Sequence, residues 1–575
     1  MNAVNLQCLA ILFMACILVS ATAVAGFLNT DFGQVDVSKV SVLDDGLKIS
    51  GLLYRPRTAG TDNPAPCIVL AHGISEAKQV MSGIGLELAR NGFVALAIDA
   101  IGHGSSEGQF RYNEDPTLGV LASVRYLECQ SFVNASLVGL VGHSLGAGAI
   151  RAAAVAHGDI RASVFIGGGV GNMAIGADYG SLNSTFPRNL LIAIGKYDAL
   201  FDLDQLKKEE LPPIFETSQE VAIGRTYGSL LAQNARKLVT PSTTHLFEPV
   251  DSAVAVEVVD WMSKALKASE QEVPSTEESK QLLYPYRDAA IIIGLSALVG
   301  LIFPISAFLS RFQTEPAPAT ELEKERRFLG NWKVLTIWGC LGLVLYLPMI
   351  LVGFVVNVPP MIFGAPIAWW MLATGASGLL ALLIVAKYTT IKLNIKMAIS
   401  KAFDRKGAIV AIGLFALIYI VASLVEGLFA FDLGVIAPLL RGLMPAIRIL
   451  MFLALVPFFV VYFLVEGLYL HEFREPRPKP TFSADFLSLC KVIGIKVIPY
   501  VALLCLQYVP MILLNRLLVP NFAAFLIEFF WLLAPIFTIS TACSWWFYRE
   551  TQKIGTGVVF NSLLFAWIAA TFFPL

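Results

Sequence analysis

The sequence predicts two architectures in one chain: an α/β domain with a mostly parallel sheet and helices on both faces, then an all-α bundle of about eight transmembrane helices. Short apolar runs spaced by helix-length stretches predict the sheet. Long apolar spans beyond residue 288 predict the bundle. The composition agrees. Of 575 residues, 56% are hydrophobic and 15% charged, against about 45–50% and about 25% in soluble domains; mean hydropathy is +0.68. The length alone implies two or more domains. A formal net charge of -1 gives no reason to expect a nucleic-acid partner.

Residues 1–26 form an apolar segment ending in Ala21-Thr22-Ala23-Val24-Ala25-Gly26, which fits either a signal peptide or an N-terminal membrane anchor. The α/β domain is expected over residues 30–270. There Val37–Val42 alternates, turns at Asp44-Asp45-Gly46 and returns through Leu47–Tyr54 as a hairpin. Strand-length apolar runs follow at Cys67–Ala71, Phe93–Ile98, Leu137–Val141, Ala162–Ile166 and Leu190–Ile194. A polar linker, 271–287, leads to the bundle, 288–575. Of the eight cysteines, Cys8, Cys16, Cys340, Cys490, Cys505 and Cys543 lie in or beside apolar spans. Cys67 and Cys129 remain, which is no disulfide framework.

The expected spans are about 289–310, 334–356, 361–386, 407–430, 443–470, 492–515, 522–547 and 555–575. Connections 311–333, 387–406, 471–491 and 548–554 carry seventeen Lys and Arg in all; the intervening ones carry only Arg441 and Arg516. Basic connections stay cytoplasmic, so the α/β domain is expected on the extracytoplasmic side of a cell membrane. Two sequons, at Asn134 and Asn183, fall in that domain. Leu424-Val425-Glu426-Gly427-Leu428 recurs at Leu464–Leu468. The echo reads either as a transporter-like repeat or as two glutamates reaching an interface.

The chemistry-bearing motif is Gly142-His143-Ser144-Leu145-Gly146, set between the strand Leu137–Val141 and a helix-forming stretch from Ala147. A G-x-S-x-G turn in that context projects a serine hydroxyl above the sheet. A serine hydroxyl is a weak nucleophile until an imidazole takes its proton and a carboxylate fixes that imidazole. Asp198 follows the strand Leu190–Ile194, and His245 follows the run Lys237–Thr240, giving the order Ser…Asp…His. Asp202 and Asp204 compete as acids but are explained as helix-start residues. His157 closes the helix behind Ser144 and reads as a C-terminal cation. Backbone N–H groups of Ile74 and Leu145 would hold the oxyanion, each worth roughly 3–4 kcal/mol. His72, Gly73 and His103 are expected to brace the surrounding loops. No metal-ligand spacing is evident, and this chemistry needs no cofactor.

The set Ala71-His72-Gly73, Asp99…Gly102-His103-Gly104-Ser105, Gly142–Gly146, Asp198 and His245 resembles the α/β-hydrolase superfamily. Within it, the pattern looks like esterase, monoglyceride-lipase-like and dienelactone-hydrolase-like members. The resemblance covers about residues 35–268 and implies nucleophile Ser144, acid Asp198, base His245 and oxyanion amides Ile74 and Leu145. The family's Asp-x-Arg-Gly-His-Gly stands here as Asp99-Ala100-Ile101-Gly102-His103-Gly104, so the loop lacks its arginine. With 167–189 too short for a large helical lid, 199–244 is the expected cover of the pocket.

The reading is therefore a membrane-tethered serine hydrolase for carboxylic, lipid-like esters, with the lipid bilayer as its other partner. A peptidase could use the same triad. Alternatively, the bundle is a transporter or channel and the α/β domain an accessory; Arg448, Glu426, Glu466 and Glu528 are the main ionisable residues deep in its spans.

Overall fold

The computed structural model describes the whole chain except residues 1–2, 112–113, 171–179, 268–280, 312–331, 389–404, 435–439, 443, 473–481, 515–517, 520 and 552. Most of the expected linker and of the basic connections, and part of 167–189, thus lie outside the described residues.

The first half is built on a nine-stranded sheet of order β1-β2-β4-β3-β5-β6-β7-β9-β8. β1 (Val35–Asp44) and β2 (Leu47–Pro56) form the expected hairpin. From β4 (Val94–Ile98) through β3 (Ala65–Ala71), β5 (Val133–His143), β6 (Ala162–Ile166) and β7 (Leu190–Ala193) to β9 (Arg236–Val239) all pairing is parallel. β8 (Thr226–Tyr227) closes the edge antiparallel. The inner strands are apolar at nearly every position because both faces are covered. Along β3, Cys67, Val69 and Ala71 enter one core and Ile68 and Leu70 the other, the two-residue alternation of a strand. Helices α3 (Val120–Glu128) and α4 (Leu145–His157) seal the first face; α2 (Ser82–Arg90) and helix Ser252–Lys267 seal the second.

Among the described residues, nine helices are long and apolar enough to cross a membrane, one of them Val4–Asn29 and eight beyond residue 283. Such a set marks a multi-pass membrane protein. The N-terminal helix α1 (Ala3–Asn29) lies along helix Tyr284–Ser310, with Leu18, Ala21 and Thr22 facing Gly294 and Met14 facing Gly300. Small residues at that contact let the two backbones approach.

The two halves are joined by polar contacts, several of them buried. Glu87 of α2 accepts the N–H groups of Leu283 and Tyr284 at 2.7 and 2.9 Å, capping helix Tyr284–Ser310. Lys39 of the hairpin pairs with Glu426 at 3.1 Å. Leu575 donates its N–H to Gly102 and accepts that of Phe110. Arg448 donates to the carbonyls of Gly102, Ala570 and Phe573, so this cation, in the first turn of helix Ala446–Gly467, fastens the last helix to a loop of the α/β domain. The repeated glutamates differ in surroundings: Glu426 meets Lys39, whereas Glu466 pairs with Lys496 inside the bundle.

Candidate active site

β5 runs into α4 through Ser144, whose φ of 51 and ψ of -114 lie outside the ordinary regions for an L residue. Such a conformation costs of order 1–3 kcal/mol and persists only where the surroundings enforce it. Here the enforcement is steric. A Cβ on Gly142 would strike the Gly146 carbonyl, and one on Gly146 would strike the Ala71 carbonyl at the end of β3. Two glycines therefore let the turn close against the sheet, and Ser144 is left facing a cavity.

Three loops converge there. Ser144 Oγ lies 3.0 Å from His245 Nε2, and His245 Nδ1 lies 2.8 Å from Asp198 Oδ2. In the neutral imidazole the carboxylate claims the Nδ1 proton, leaving Nε2 to accept the serine hydroxyl. Asp198 is fixed through Oδ1, which accepts the Leu200 N–H at 2.8 Å. Asp202 is instead the cap of the next helical turn, accepting from the N–H groups of Asp204 and Gln205. Burial alone would lower the His245 pKa, but Asp198 outweighs it and raises the group to about 9.

A second layer, not foreseen from the sequence, holds these loops in register. His143, between the glycine and the serine of the motif, places Nδ1 3.0 Å from Glu76 Oε2 and Nε2 3.1 Å from the His245 carbonyl. With an acceptor at each nitrogen the ring is held as a cation. Burial opposes this, but Glu76 and Glu248 raise its pKa to about 10. Glu76 Oε2 also accepts the Gly73 N–H at 2.6 Å, so one carboxylate orients the loop that carries Ile74. Glu248 accepts the Gly195 N–H at 2.5 Å and stands 3.8 Å from His245 Nδ1, farther than Asp198. Burial and neighbouring Asp198 push its carboxyl up to about 7. Lone glutamates gave no signal in the sequence, where most such residues are solvated.

The remaining expected residues fall nearby. Ile74 lines the cavity beside Ser144, and Leu145 opens α4, where first-turn N–H groups have no partner within the helix. The Ser144 N–H itself is committed to the Ile166 carbonyl at 2.8 Å. His72 bridges two loops, with Nδ1 2.7 Å from the Gly73 carbonyl and Nε2 accepting the Ala100 N–H at 3.0 Å. His103 packs edge-on against His72 and reaches the Ile101 carbonyl. His157 pairs with Glu128 at 2.9 Å. His143, His245 and Glu248 lie close enough together to suggest a metal site. All four ring nitrogens already face Glu76, Asp198, Ser144 or the His245 carbonyl, so the donor set does not fit one.

The cover of the site corrects the sequence reading. No described residue of 199–244 lines the cavity beside Ser144. Its roof is Phe525, Glu528, Phe529 and Phe572, all from the bundle, over Gly73–Glu76, His143, Ser144, His245 and Leu246. The His245 loop packs on the same helices, with Phe247 edge-on to Trp531. Sequence periodicity cannot show a roof contributed from 280 residues downstream.

Residues 68–302 match the family model described as the alpha/beta hydrolase family. The thiohydrolase aneE of Aspergillus aculeatus is 34% identical over 132 residues, 22% of this chain and 40% of that protein. The uncharacterized protein YcjY of Escherichia coli is 32% identical over 120 residues, 20% of this chain and 39% of that one. The chain thus spans about two-fifths of the length of these curated relatives. Among solved structures, an esterase of Pyrococcus furiosus is 15% identical over 41% of this chain and 96% of its own, with a TM-score of 0.31. A dienelactone hydrolase of Anabaena variabilis is 21% identical over 40% of this chain and 99% of its own, with a TM-score of 0.28.

Proposed function

We propose that the α/β-hydrolase domain carried by this chain is a serine esterase, held in a membrane by its own bundle and facing the extracytoplasmic side. The observation that carries the reading is the Ser144–His245–Asp198 chain of 3.0 and 2.8 Å contacts around a strained serine.

In this reading His245 takes the Ser144 proton as Oγ attacks the carbonyl carbon of the ester. The N–H groups of Ile74 and Leu145 hold the oxygen that becomes negative. His245 then gives its proton to the departing alcohol, leaving an acyl group on Ser144. Water, deprotonated by the same imidazole, releases the acid and restores the serine. Asp198 keeps the imidazole in the productive tautomer and stabilises it as it becomes cationic.

The apolar roof over Ser144 supports an acyl group of lipid-like character. That roof also supports the bundle as part of the enzyme rather than as a transporter with an appended hydrolase. The orientation rests on the seventeen-to-two distribution of basic residues. Labelling intact cells with a membrane-impermeant fluorophosphonate tests both points. Labelling of wild type and none of Ser144→Ala is expected. Equal labelling of the two proteins would rule out Ser144 as the nucleophile, and labelling only after permeabilisation would reverse the orientation.

A further inference from the structure

We infer that Glu528 is a specificity residue of this site, accepting a hydrogen bond from a hydroxyl or ammonium group on the alcohol side of the ester. The inference rests on the serine-esterase reading and extends it to the class of leaving group.

Glu528 ends helix Asn521–Glu528, next to the break at Phe529 that precedes helix Phe530–Thr551. It is 2% exposed and lines the cavity that holds Ser144 and His245. Its Oε1 accepts the Tyr508 hydroxyl at 2.6 Å. Its Oε2 has no hydrogen-bond partner among the described residues. An unsatisfied buried acceptor costs about 1–3 kcal/mol, and more when it is charged. An ionisable residue kept within a membrane segment at such a cost is functional by default.

Among the described residues nothing else is placed to satisfy that oxygen. No lysine or arginine is among the described residues lining the cavity. His143 is committed to Glu76 and the His245 carbonyl, and His245 to Asp198 and Ser144. With no donor among these residues, the one that fits is carried by what enters the cavity. Carboxyl groups outnumber imidazoles around it, with Glu76, Asp198, Glu248 and Glu528 against His143 and His245. That balance disfavours an anionic head group and favours a neutral or cationic one. Phe525, Phe529 and Phe572 supply an apolar wall for the acyl part. The space left among these side chains is about 20 Å³, enough for roughly one water, so a lone bridging water is the competing occupant.

The test uses full-length protein in lipid nanodiscs and three esters of one acyl chain: methyl, 2-hydroxyethyl and 2-(dimethylamino)ethyl. Wild type should favour at least one donor-bearing ester over the methyl ester by about tenfold or more in kcat/KM, as sites built to bind a donor do. In Glu528→Ala that ratio should fall to near one. In Glu528→Gln, which keeps an acceptor oxygen but no charge, a preference for the hydroxyl ester should survive and one for the ammonium ester should not. Fluorophosphonate labelling of Ser144 reports whether each variant is folded; where Glu528→Ala fails to label, the Glu528→Gln ratios and a Tyr508→Phe variant decide. An unchanged ratio in labelled Glu528→Ala, an unchanged ammonium-ester preference in labelled Glu528→Gln, or an equal fall on all three esters as a bridging water predicts, would overturn the inference. Absence of labelling in wild type would instead overturn the esterase reading, and the inference with it.

Discussion

Arg441 donates to Oδ2 of Asp99 at 2.9 Å, a buried ion pair between the loop joining two bundle helices and the carboxyl end of β4. Lys78 shares the same oxygen at 2.5 Å, and the backbone of Lys78 and Ser105 donates to the carboxylate as well. Asp99 opens the loop in which the motif it resembles carries an arginine and this chain has Ile101, and Arg441 brings a guanidinium to Asp99 from 342 residues away. Burial would raise the Asp99 pKa, but Arg441 and Lys78 outweigh it and hold the carboxyl well below its usual range.

Removing one partner of a buried pair costs about 3–5 kcal/mol where the other charge is left uncompensated; Lys78 stays on Asp99, so the loss here should fall below that range. Arg441→Ala should therefore lower the thermal unfolding midpoint of the purified protein and loosen the loop that carries His103. Arg441→Lys should recover part of that loss. An unchanged midpoint in Arg441→Ala, followed by tryptophan fluorescence in detergent, would mean the pair contributes nothing to holding the halves together.

Two carboxylates approach His245, and the geometry chooses between them. Asp198 is hydrogen-bonded to Nδ1 at 2.8 Å, while Glu248 stands at 3.8 Å and spends one oxygen on Gly195. Asp198→Asn should lower kcat by about 10⁴, the loss seen when a triad acid becomes an amide. Glu248→Gln should cost far less, about tenfold or under, since the tautomer of His245 is still set by Asp198. Steady-state rates on one ester decide it; a larger loss in Glu248→Gln would reassign the acid.

The pH profile follows from the same neighbours. His245 acts as a base only when neutral, and its pKa is raised to about 9. Below that value the neutral fraction falls tenfold per pH unit, so kcat/KM should climb through neutrality with a limb above the ordinary histidine value of about 6.5. Glu248 helps to raise His245, so Glu248→Gln should move the limb to lower pH. A limb at or below the ordinary value in wild type, measured on a pH-insensitive ester, would contradict the assignment of Asp198 and Glu248 as the groups facing this imidazole.

The strands were legible because each obeys a local rule. Ala162–Ile166 is apolar but for Ser163 since both faces are buried, and Val35–Asp44 mixes polar with apolar residues since it lies at the sheet edge. The turn at Ser144 was legible through Gly142 and Gly146, whose missing side chains are what lets it close. Glu76, Glu248, Arg441 and the phenylalanine roof were not legible. Their roles arise from contacts between segments 53 to several hundred residues apart, where neither periodicity nor spacing carries information. Arg441 is the clearest case: in the sequence it is a stray basic residue on a short connection, and in the fold it is a buried counter-ion.

Gly73 precedes the amide expected to hold the oxyanion, and it has no room for a side chain. A Cβ there would sit 2.9 Å from His143 Nδ1, 3.0 Å from Glu76 Oε2 and 3.1 Å from Ser144 Cβ. His143 and Glu76 are locked to each other and to the backbone, so neither can swing aside as a flexible side-chain end would. The loop itself must shift, carrying the Ile74 N–H away from the carbonyl oxygen. Displacing one such donor should lower kcat by about 10²-fold with little change in KM, because the contact forms in the transition state and not with bound substrate. Gly60→Ala is the matched control, since nothing lies within 4 Å of its Cβ position. A Gly73→Ala variant that raised KM and left kcat intact would place the oxyanion away from this loop.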